Sequence, residues 1–241
     1  MLEFREQNFD FMTGIGKNII ATARVGTCDF NALRAGIEDD EYDLKDFKYK
    51  VGDVVLDLGA HLGGEAMLLS VINPKIRILS FEPLPENFKL LNQNIKLNGF
   101  TNIETFPMAV CGKSGFLDIY YGDPKTEFGR HHYFTGAPIV NPEREHVTVV
   151  SMTLAEIFNQ YNIEHCKILK MDIETSEIDV LETCPPEILA KIDYIVGEHH
   201  YIKREELFKK TKGLFDDIPC RYQTNDGIGH WRWRNKNVKE F

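Results

Sequence analysis

The segment from Val54 to Gly64, with the sequence VVLDLGAHLGG, constrains the fold of this chain more than any other segment. An apolar run reaches Asp57 and passes into a glycine-rich turn, after which the sequence becomes helical in character. Gly59 permits a tight turn, while Gly63 and Gly64 let a ligand or the following helix approach the backbone closely. This order predicts a strand, a turn and a helix, with a nucleotide-type site at the turn.

The spacing within the turn separates two kinds of cofactor. A dinucleotide fingerprint requires G-x-G-x-x-G, whereas this pattern is Asp57-x-Gly59-x-x-x-Gly63 and lacks the second glycine. S-adenosylmethionine carries no phosphate, and a carboxylate at Asp57 can take up its ammonium group while backbone amides meet its carboxylate. The pattern favours S-adenosylmethionine, and a turn that only packs a helix on a strand is the alternative.

A second acid follows the next apolar run. Residues Arg77 to Phe81 (RILSF) read as a strand and lead into Glu82-Pro83. In doubly wound sheets, an acid at the end of the second strand accepts hydrogen bonds from the ribose hydroxyls. Further on, Ala109 and Val110 are small and apolar, so they can lie against an adenine ring, and a place in the core is the alternative.

The alternation of apolar runs and helical segments predicts the fold class, which is α/β with a doubly wound, mostly parallel sheet. Two runs near the carboxyl end, Tyr222 to Thr224 and His230 to Arg234, flank an Asn-Asp-Gly turn and predict an antiparallel C-terminal hairpin. Residues 1–50 read as a segment of short helices that packs on a single domain, residues 51–241. The long loop at 122–145 is a candidate to close over substrate.

Composition narrows the functional class. The formal net charge of −9 argues against nucleic-acid binding, and the basic Trp231 to Arg234 stretch (WRWR) reads as a terminal strand with one buried face. Five dispersed cysteines without a C-x-x-C pair indicate reduced thiols. The N-terminus does not resemble a signal peptide, and no run is apolar enough to span a membrane. A cytoplasmic protein is expected.

Several acids and histidines are expected at one edge of the sheet. The apolar run at 167–171 ends in Asp172, followed two residues later by Glu174. The run at 193–197 leads into Glu198 and His199. Since open α/β sheets bind ligands at the carboxyl ends of their strands, these groups are candidates for chemistry beside the cofactor.

Taken together, these blocks resemble the FkbM family of S-adenosylmethionine-dependent methyltransferases. The resemblance rests on VVLDLGAHLGG, SFEPLPENFKLLNQNIKLNG, LKMDIETSEIDVL and the strand ending in GEHH, with GTCDFNALRAGIEDDEYDL as an approach segment. It implies a seven-stranded Rossmann-like class I domain over residues 51–241 that methylates hydroxyl groups, typically on sugars or natural products. Thr175 stands where the family usually has glycine.

The resemblance also implies roles for individual residues. Glu82 would hold the ribose with Pro83 beside it, Asn87 is a weaker cofactor contact, and Ala109 and Val110 would meet the adenine. The methionine end of the cofactor would be lined by Asp57, Gly59, Ala60, His61 and Gly63.

An alcohol acceptor benefits from a general base, and His199 is the preferred candidate because an imidazole titrates near neutral pH. Asp172, which also borders the cofactor, or Glu198 would orient this base or the acceptor. A divalent metal held by Asp172, Glu174, Glu198 and His199 is a competing use of the same groups, although their spacing matches no dedicated metal motif and a metal-free site is favoured.

Two readings from other classes remain open. An NAD-dependent oxidoreductase shares the fold class, and a non-catalytic nucleoside-binding module would keep Asp57 and Glu82 without needing the acids around His199. The resemblance implies a small hydroxylated acceptor such as a saccharide.

Overall fold

A computed structural model describes residues 5–121, 133–134, 146–200, 203–222 and 228–238. Its strands, in chain order, are β1 (Glu6–Phe11), β2 (Ile19–Arg24), β3 (Val54–Leu58), β4 (Arg77–Phe81), β5 (Ile103–Phe106), β6 (Ala109–Val110), β7 (Gly115–Tyr121), β8 (Tyr133–Phe134), β9 (His146–Met152), β10 (Cys166–Met171), β11 (Ile192–His200), β12 (Phe215–Asp217) and β13 (Ile228–Asn235).

The helices of the same residues are mostly short. They are α1 (Asp29–Arg34), α2 (Gly64–Ile72), α3 (Pro85–Asn98), α4 (Leu154–Gln160), α5 (Glu177–Thr183), α6 (Pro186–Leu189) and α7 (Arg204–Lys209). A π-helical turn at Ala35–Asp39 and a 3₁₀ turn at Leu44–Asp46 follow α1. Thr153 caps α4 in a complete capping box with Glu156, as its position before an amphipathic run predicts. No helix in this described part is both long enough and apolar enough to cross a membrane.

The central sheet has seven strands in the order β12-β13-β11-β10-β3-β4-β5. The strands from β11 to β5 pair in parallel, while β13 pairs antiparallel with both β11 and β12. This confirms the predicted fold class, and β3 and β4 have the predicted bounds. Because β3, β4, β10 and β11 run in parallel, their carboxyl ends bring Asp57, Glu82, Asp172 and Glu198 to one edge.

Apolar side chains cover both faces of the sheet. Leu56, Leu169 and Ile195 pack on the face that also receives α4, α5 and α7, and Val55, Ile168 and Val196 pack on the other. The terminal WRWR stretch lies in β13, where Trp231 and Trp233 are buried and stack with ring centroids 4.0 Å apart. The tryptophans therefore serve the core, as predicted for a strand with one buried face.

The sequence of Asn102 to Val110 (NIETFPMAV) predicts one strand. The structure divides these residues between two sheets. Residues Ile103–Phe106 extend the central sheet, but Ala109–Val110 pair with β9 in a separate four-stranded sheet of order β6-β9-β7-β8. Part of the 122–145 loop lies outside the described residues, and only the short strand β8 within it is described. Its predicted role in closure stays a prediction.

The near-helical spacing of Ile15, Ile19 and Ile20 predicts a helix in the N-terminal segment, and this prediction is wrong. Strands β1 and β2 form an antiparallel hairpin there, and helices begin only at Asp29. Asparagines of α3 complete the outer edge of β2, because the Asn94 and Asn98 side chains accept from the amides of Thr22 and Ile20 at 2.7 and 3.0 Å. The hairpin is thereby attached to the helix that follows Glu82. The boundary proposed at residue 50 stays a prediction.

An antiparallel C-terminal pair is present, formed by β12 (Phe215–Asp217) and β13. Of the predicted strand Tyr222 to Thr224, residues 223 and 224 lie outside the described residues. The sequence pattern predicts a helix from about Arg204 to Phe215, whereas α7 ends at Lys209. Tyr222 lies in a turn and its carbonyl accepts from the His230 amide at 3.2 Å. The predicted Asn-Asp-Gly turn lies outside the described residues.

Candidate functional site

The turn after β3 and the acid after β4 are joined directly. The His61 amide donates to Glu82 Oε2 at 2.8 Å, and the Gly59 and Ala60 amides both donate to the Phe81 carbonyl at 3.0 Å. The two strand ends that were expected to share one ligand therefore lie in contact.

Glu82 is a buried carboxylate with a defined orientation. Besides the His61 bond, its Oε1 accepts from the Leu84 amide at 2.9 Å and from Asn87 Nδ2 at 3.4 Å. Burial raises the pKa of Glu82 to about 7, although these three hydrogen bonds act in the opposite direction. A carboxylate has about four lone-pair positions, so acceptor capacity remains for a ligand.

Asp57 is paired with a lysine that the sequence analysis did not single out. Lys170 Nζ lies 3.3 Å from Asp57 Oδ1 and donates to the Gly59 carbonyl at 2.8 Å, while Ser80 Oγ donates to Asp57 Oδ2 at 3.2 Å. Both charged groups are fully buried. Burial alone would lower the pKa of Lys170, but the Asp57, Glu65 and Asp172 carboxylates raise it, so this lysine is a cation. We call Asp57, Gly59, His61, Glu82 and Lys170 the glycine-turn region.

Two glycines of this turn are required by geometry. Gly59 has φ +78°, and a Cβ there would lie 1.8 Å from the Asp172 carbonyl oxygen. Gly63 has φ +89°, and a Cβ would lie 2.6 Å from Leu91 Cδ1. Gly59 is thus needed for the close approach of β3 and β10, and Gly63 for packing of the helix entry against α3.

A network from the N-terminal segment supports the turn. Arg24 binds Asp29 through two hydrogen bonds of 2.7 and 2.9 Å and donates to Asn87 Oδ1 at 2.7 Å. Asn87 therefore links this pair to Glu82. The pKa of His61 is lowered to about 4 by burial, so its imidazole is neutral at pH 7 even with Asp29 at 3.7 Å. Sequence reasoning missed Arg24 and Asp29 because nothing local marks them.

A cavity of about 230 Å³ opens at this edge of the sheet. Apolar side chains from Leu84, Leu117 and Ile119 line one part, and the carboxylates of Glu82 and Asp172 line another. Eight of the predicted site residues line it: Gly59, His61, Glu82, Pro83, Asn87, Ala109, Val110 and Asp172. Asp57, Ala60, Gly63, Glu198 and His199 are not among the lining residues, and the first three belong to the turn that forms its wall.

A second group of charges lies beside Asp172. The His200 Nε2 atom is 3.2 Å from Glu198 Oε2, 3.8 Å from Glu174 Oε2 and 3.9 Å from Asp172 Oδ1. Its Nδ1 atom is 3.9 Å from Glu177 Oε1. We call these five residues the His200 cluster. Asp172 and Glu174 also line the cavity, so the cluster opens into it.

His199, the preferred base of the sequence analysis, stays a prediction, and it is not among the residues that line the cavity. Neighbouring residues of a strand face opposite sides of the sheet, so His199 faces away from Glu198 and His200. Burial first, then the nearby His200 and Arg204, lower the pKa of His199. The imidazole that lies against Asp172 and Glu198 is that of His200, which the sequence analysis placed at the same edge without giving it a role.

The charges within the His200 cluster shift one another strongly. Burial alone would lower the pKa of His200, but Glu177, Glu198, Glu174 and Asp172 raise it to about 12. Burial raises the pKa of Glu174 to about 8, with further contributions from the neighbouring carboxylates. The pKa of Asp172 is lowered, because Lys170 and His200 outweigh the opposing effect of its burial. The cluster concentrates negative charge around one buried imidazole.

A protein-family model and a relative of known sequence both match this chain. The family model for the methyltransferase FkbM domain matches residues 57–222, which span the turn, Glu82 and the His200 cluster. Methyltransferase 1 of Beauveria bassiana (strain ARSEF 2860) is 24% identical over 162 residues, which are 60% of this chain and 63% of that protein. The chain therefore spans less than two thirds of the length of this relative.

Solved structures with a similar course of the chain are distant in sequence. A protein from Streptococcus mutans in complex with SAH has a TM-score of 0.49 and 10% identity, with coverage of 83% of this chain and 97% of that one. An rRNA methylase from Streptococcus thermophilus has a TM-score of 0.45 and 10% identity, with coverage of 77% and 88%. At these values the likenesses carry no information about activity.

Proposed function

Because the chain belongs to the FkbM methyltransferase domain family, we propose that it is an S-adenosylmethionine-dependent methyltransferase acting on a hydroxyl group of a small molecule, such as a sugar or natural product. The observation that supports this most strongly is the 2.8 Å hydrogen bond from the His61 amide to Glu82. It fixes a carboxylate and a glycine turn around one cavity, the arrangement needed for a nucleoside with an amino-acid tail.

The residues present fit this cofactor. Glu82 offers a buried, oriented carboxylate with remaining acceptor capacity for ribose hydroxyls. Ala109 and Val110, with Leu84 on the same side, offer an apolar wall for a purine. Gly59 keeps the backbone open where a side chain would collide with Asp172. Pro83, Asn87 and Gly63 complete the proposed binding set together with Asp57, Ala60 and His61.

The acceptor is assigned to the part of the cavity lined by Asp172 and Glu174. S-adenosylmethionine supplies an electrophilic methyl group when it is bound. A hydroxyl next to Asp172 donates its hydrogen bond to a carboxylate, which orients the oxygen and accepts its proton as the new C–O bond forms. Tyr42 Oη donates to Asp172 Oδ2 at 3.0 Å and holds this carboxylate in place. Glu198 acts on the acceptor side through His200, and His199 has no part in the step.

Titration calorimetry with S-adenosylhomocysteine tests the cofactor. We expect wild-type protein to bind it and Glu82→Ala to weaken binding by about 1–3 kcal/mol, since ribose hydroxyls lose their acceptor. Glu104→Ala, an exposed acid paired with Arg77, is the matched control and should leave affinity unchanged. Wild-type protein that does not bind, or that binds NADH more tightly, would overturn the proposal in favour of an oxidoreductase or another nucleoside site.

Methyl transfer to a panel of hydroxylated small molecules tests the reaction. Asp172→Asn should reduce turnover by at least about 10²-fold, because a neutral amide cannot accept the proton. Binding of S-adenosylhomocysteine without turnover on any acceptor would favour a non-catalytic module. Transfer to ribosomal or transfer RNA instead of small molecules would contradict the proposed acceptor class.

A further inference from the structure

The His200 cluster gathers four acidic side chains, Asp172, Glu174, Glu177 and Glu198, around one buried imidazole. Glu177 is buried, and the other three acids are partly exposed. Acids that lie this close together stay ionised together only where positive charge compensates them. A divalent cation would supply that compensation.

The three residues nearest to the cavity have a suitable geometry. Asp172, Glu174 and His200 each offer one ligand atom, and these atoms all lie within 4.8 Å of one another. Backbone geometry directs Glu174 to this place, since Glu174 and Thr175 both have positive φ, 52° and 82°, immediately after β10. Strand alternation places Glu198 and His200 on the same face of β11.

The imidazole gives independent support. His200 is 3% exposed and points into the carboxylates, and its Nδ1 atom has no hydrogen-bond partner among the described residues. The Glu177 Oε2 atom, in a side chain that is 1% exposed, also has none within that part of the chain. These two atoms are buried without the hydrogen bond that would normally accompany burial, although the other oxygen of Glu177 accepts from the Ile173 amide.

The outer contacts match those that orient metal ligands. Tyr42 holds Asp172 Oδ2, which leaves Oδ1 directed towards His200. Glu177 Oε1 accepts from the Ile173 amide at 2.8 Å and lies 3.9 Å from His200 Nδ1, on the side of the ring away from Glu174. A carboxylate behind a histidine, with the other ring nitrogen facing further carboxylates, is the usual arrangement around a bound transition metal.

We propose that Asp172, Glu174 and His200 bind one divalent transition-metal ion, with Glu198 as a neighbouring fourth group and Glu177 supporting His200. A set of oxygens with one imidazole suits ions such as Mn²⁺ better than Ca²⁺ or Mg²⁺, which prefer oxygen alone. Asp172 and Glu174 line the cavity, so an ion held by them would be accessible from it. Resting on the proposed function, such an ion would bind the acceptor hydroxyl and lower its pKa, which eases transfer of the hydroxyl proton to Asp172.

Electron paramagnetic resonance with Mn²⁺ as the probe tests this site. The full-length protein is stripped with EDTA, the chelator is removed, and Mn²⁺ is titrated while the signal of the free ion is followed. We expect one ion per chain, with pulsed spectra that show coupling to an imidazole nitrogen. His200→Gln should abolish the nitrogen coupling, and both His200→Gln and Glu174→Gln should raise the Kd at least about tenfold.

His199→Gln is the matched control, because this buried histidine neighbours His200 on the same strand and faces the other side. It should keep the wild-type Kd and nitrogen coupling. Wild-type protein that binds no Mn²⁺, lacks nitrogen coupling, or has the same affinity as both variants would overturn the site. Should His200→Gln fail to fold, Glu174→Gln decides alone, since Glu174 is partly exposed.

The cofactor experiment separates this inference from the proposed function. Metal-stripped protein that binds S-adenosylhomocysteine but no Mn²⁺ would remove the metal site and leave the methyltransferase proposal intact. Protein that binds Mn²⁺ with the predicted variant pattern but no S-adenosylhomocysteine would remove the proposed function and leave the metal site.

Discussion

The glycine-turn region and the His200 cluster lie side by side on the same edge of the sheet. They differ in how closely their acidic side chains are paired with hydrogen-bond donors and cations. In the glycine-turn region, Asp57 has Lys170 and Ser80, and Glu82 accepts three hydrogen bonds. In the His200 cluster, three of the four contacts between the imidazole and carboxylates are 3.8 Å or longer. The carboxylates of the first region have close partners, whereas those of the second share one imidazolium at mostly longer distances.

This difference indicates separate tasks for the two regions. A closed hydrogen-bond network holds its shape before the ligand arrives, which suits the binding of a cofactor common to many reactions. A cluster in which four acids share one imidazolium is suited to a ligand that carries positive charge. The two regions meet at Asp172, whose carbonyl touches Gly59 and whose carboxylate belongs to the His200 cluster.

The largest expected loss of stability comes from removing the cation that pairs with Asp57. Lys170→Met leaves Asp57 buried without its cation and should destabilise the fold by about 3–5 kcal/mol in urea unfolding. Lys210→Met, which breaks a solvent-exposed pair with Glu182, is the matched control and should cost at most about 1 kcal/mol. Equal effects in the two variants would mean that the glycine-turn region is not held by its ion pair.

The raised pKa of Glu82 should make the free energy of unfolding depend on pH. Its pKa of about 7 in the folded chain exceeds the ordinary value of 4.5. Its contribution is therefore complete below that ordinary value and is lost as pH rises through about 7. Between about pH 4 and pH 8, the free energy of unfolding of wild type should fall by about 3 kcal/mol relative to that of Glu82→Gln. Any cost of the amide that does not depend on pH leaves this difference unchanged. A difference that does not change with pH would refute the raised pKa.

A pair of alanine substitutions separates steric contact from backbone strain. Gly59 and Gly52 have similar φ values of +78° and +85°, but nothing lies within 4 Å of a Cβ at Gly52. Gly52→Ala should cost about 1 kcal/mol from the left-handed backbone alone. Gly59→Ala should cost about 2 kcal/mol more, because β3 and β10 must move apart. Similar unfolding free energies for both variants would show that this contact is not tight.

The smallest expected effect lies in the His200 cluster. Glu174→Gln should change the stability of metal-free protein at pH 7 by no more than about 1 kcal/mol, since it removes one acid from a crowded group. The pKa of Glu174 is raised from 4.5 to about 8, so its contribution is lost as pH rises from about 4.5 to about 8, and the variant should gain on wild type over that range and level off above it. Marked destabilisation at all pH values would show that this cluster is as complete as its neighbour.

The sequence alone predicted those parts of the fold that depend on residues close together in the chain. Strands β3 and β4 are apolar runs bounded by an acid and a glycine or proline, and the parallel order of such units follows from their alternation with helices. That order places Asp57 and Glu82 together, which the structure confirms. The pairing of Lys170 with Asp57 joins residues far apart in the chain, and periodicity carries no information about it.

One wrong prediction and one untested assignment illustrate what local patterns leave out. Ile15, Ile19 and Ile20 fit a helical spacing, but β2 is stabilised by pairing with β1 and by asparagines of α3, which a local pattern does not contain. His199 and His200 end the same strand, and the sequence places both at the correct edge. Only the register of β11 against its neighbours decides which of them faces Asp172.

A crystal structure of the protein grown with S-adenosylhomocysteine tests the central claim most directly, because it shows whether the glycine turn and Glu82 hold one nucleoside. We predict that the ribose hydroxyls lie within hydrogen-bond distance of Glu82, with the adenine against Val110 and the amino-acid tail beside the Gly59 turn. A ligand bound elsewhere, or one whose ribose does not contact Glu82, would contradict the account.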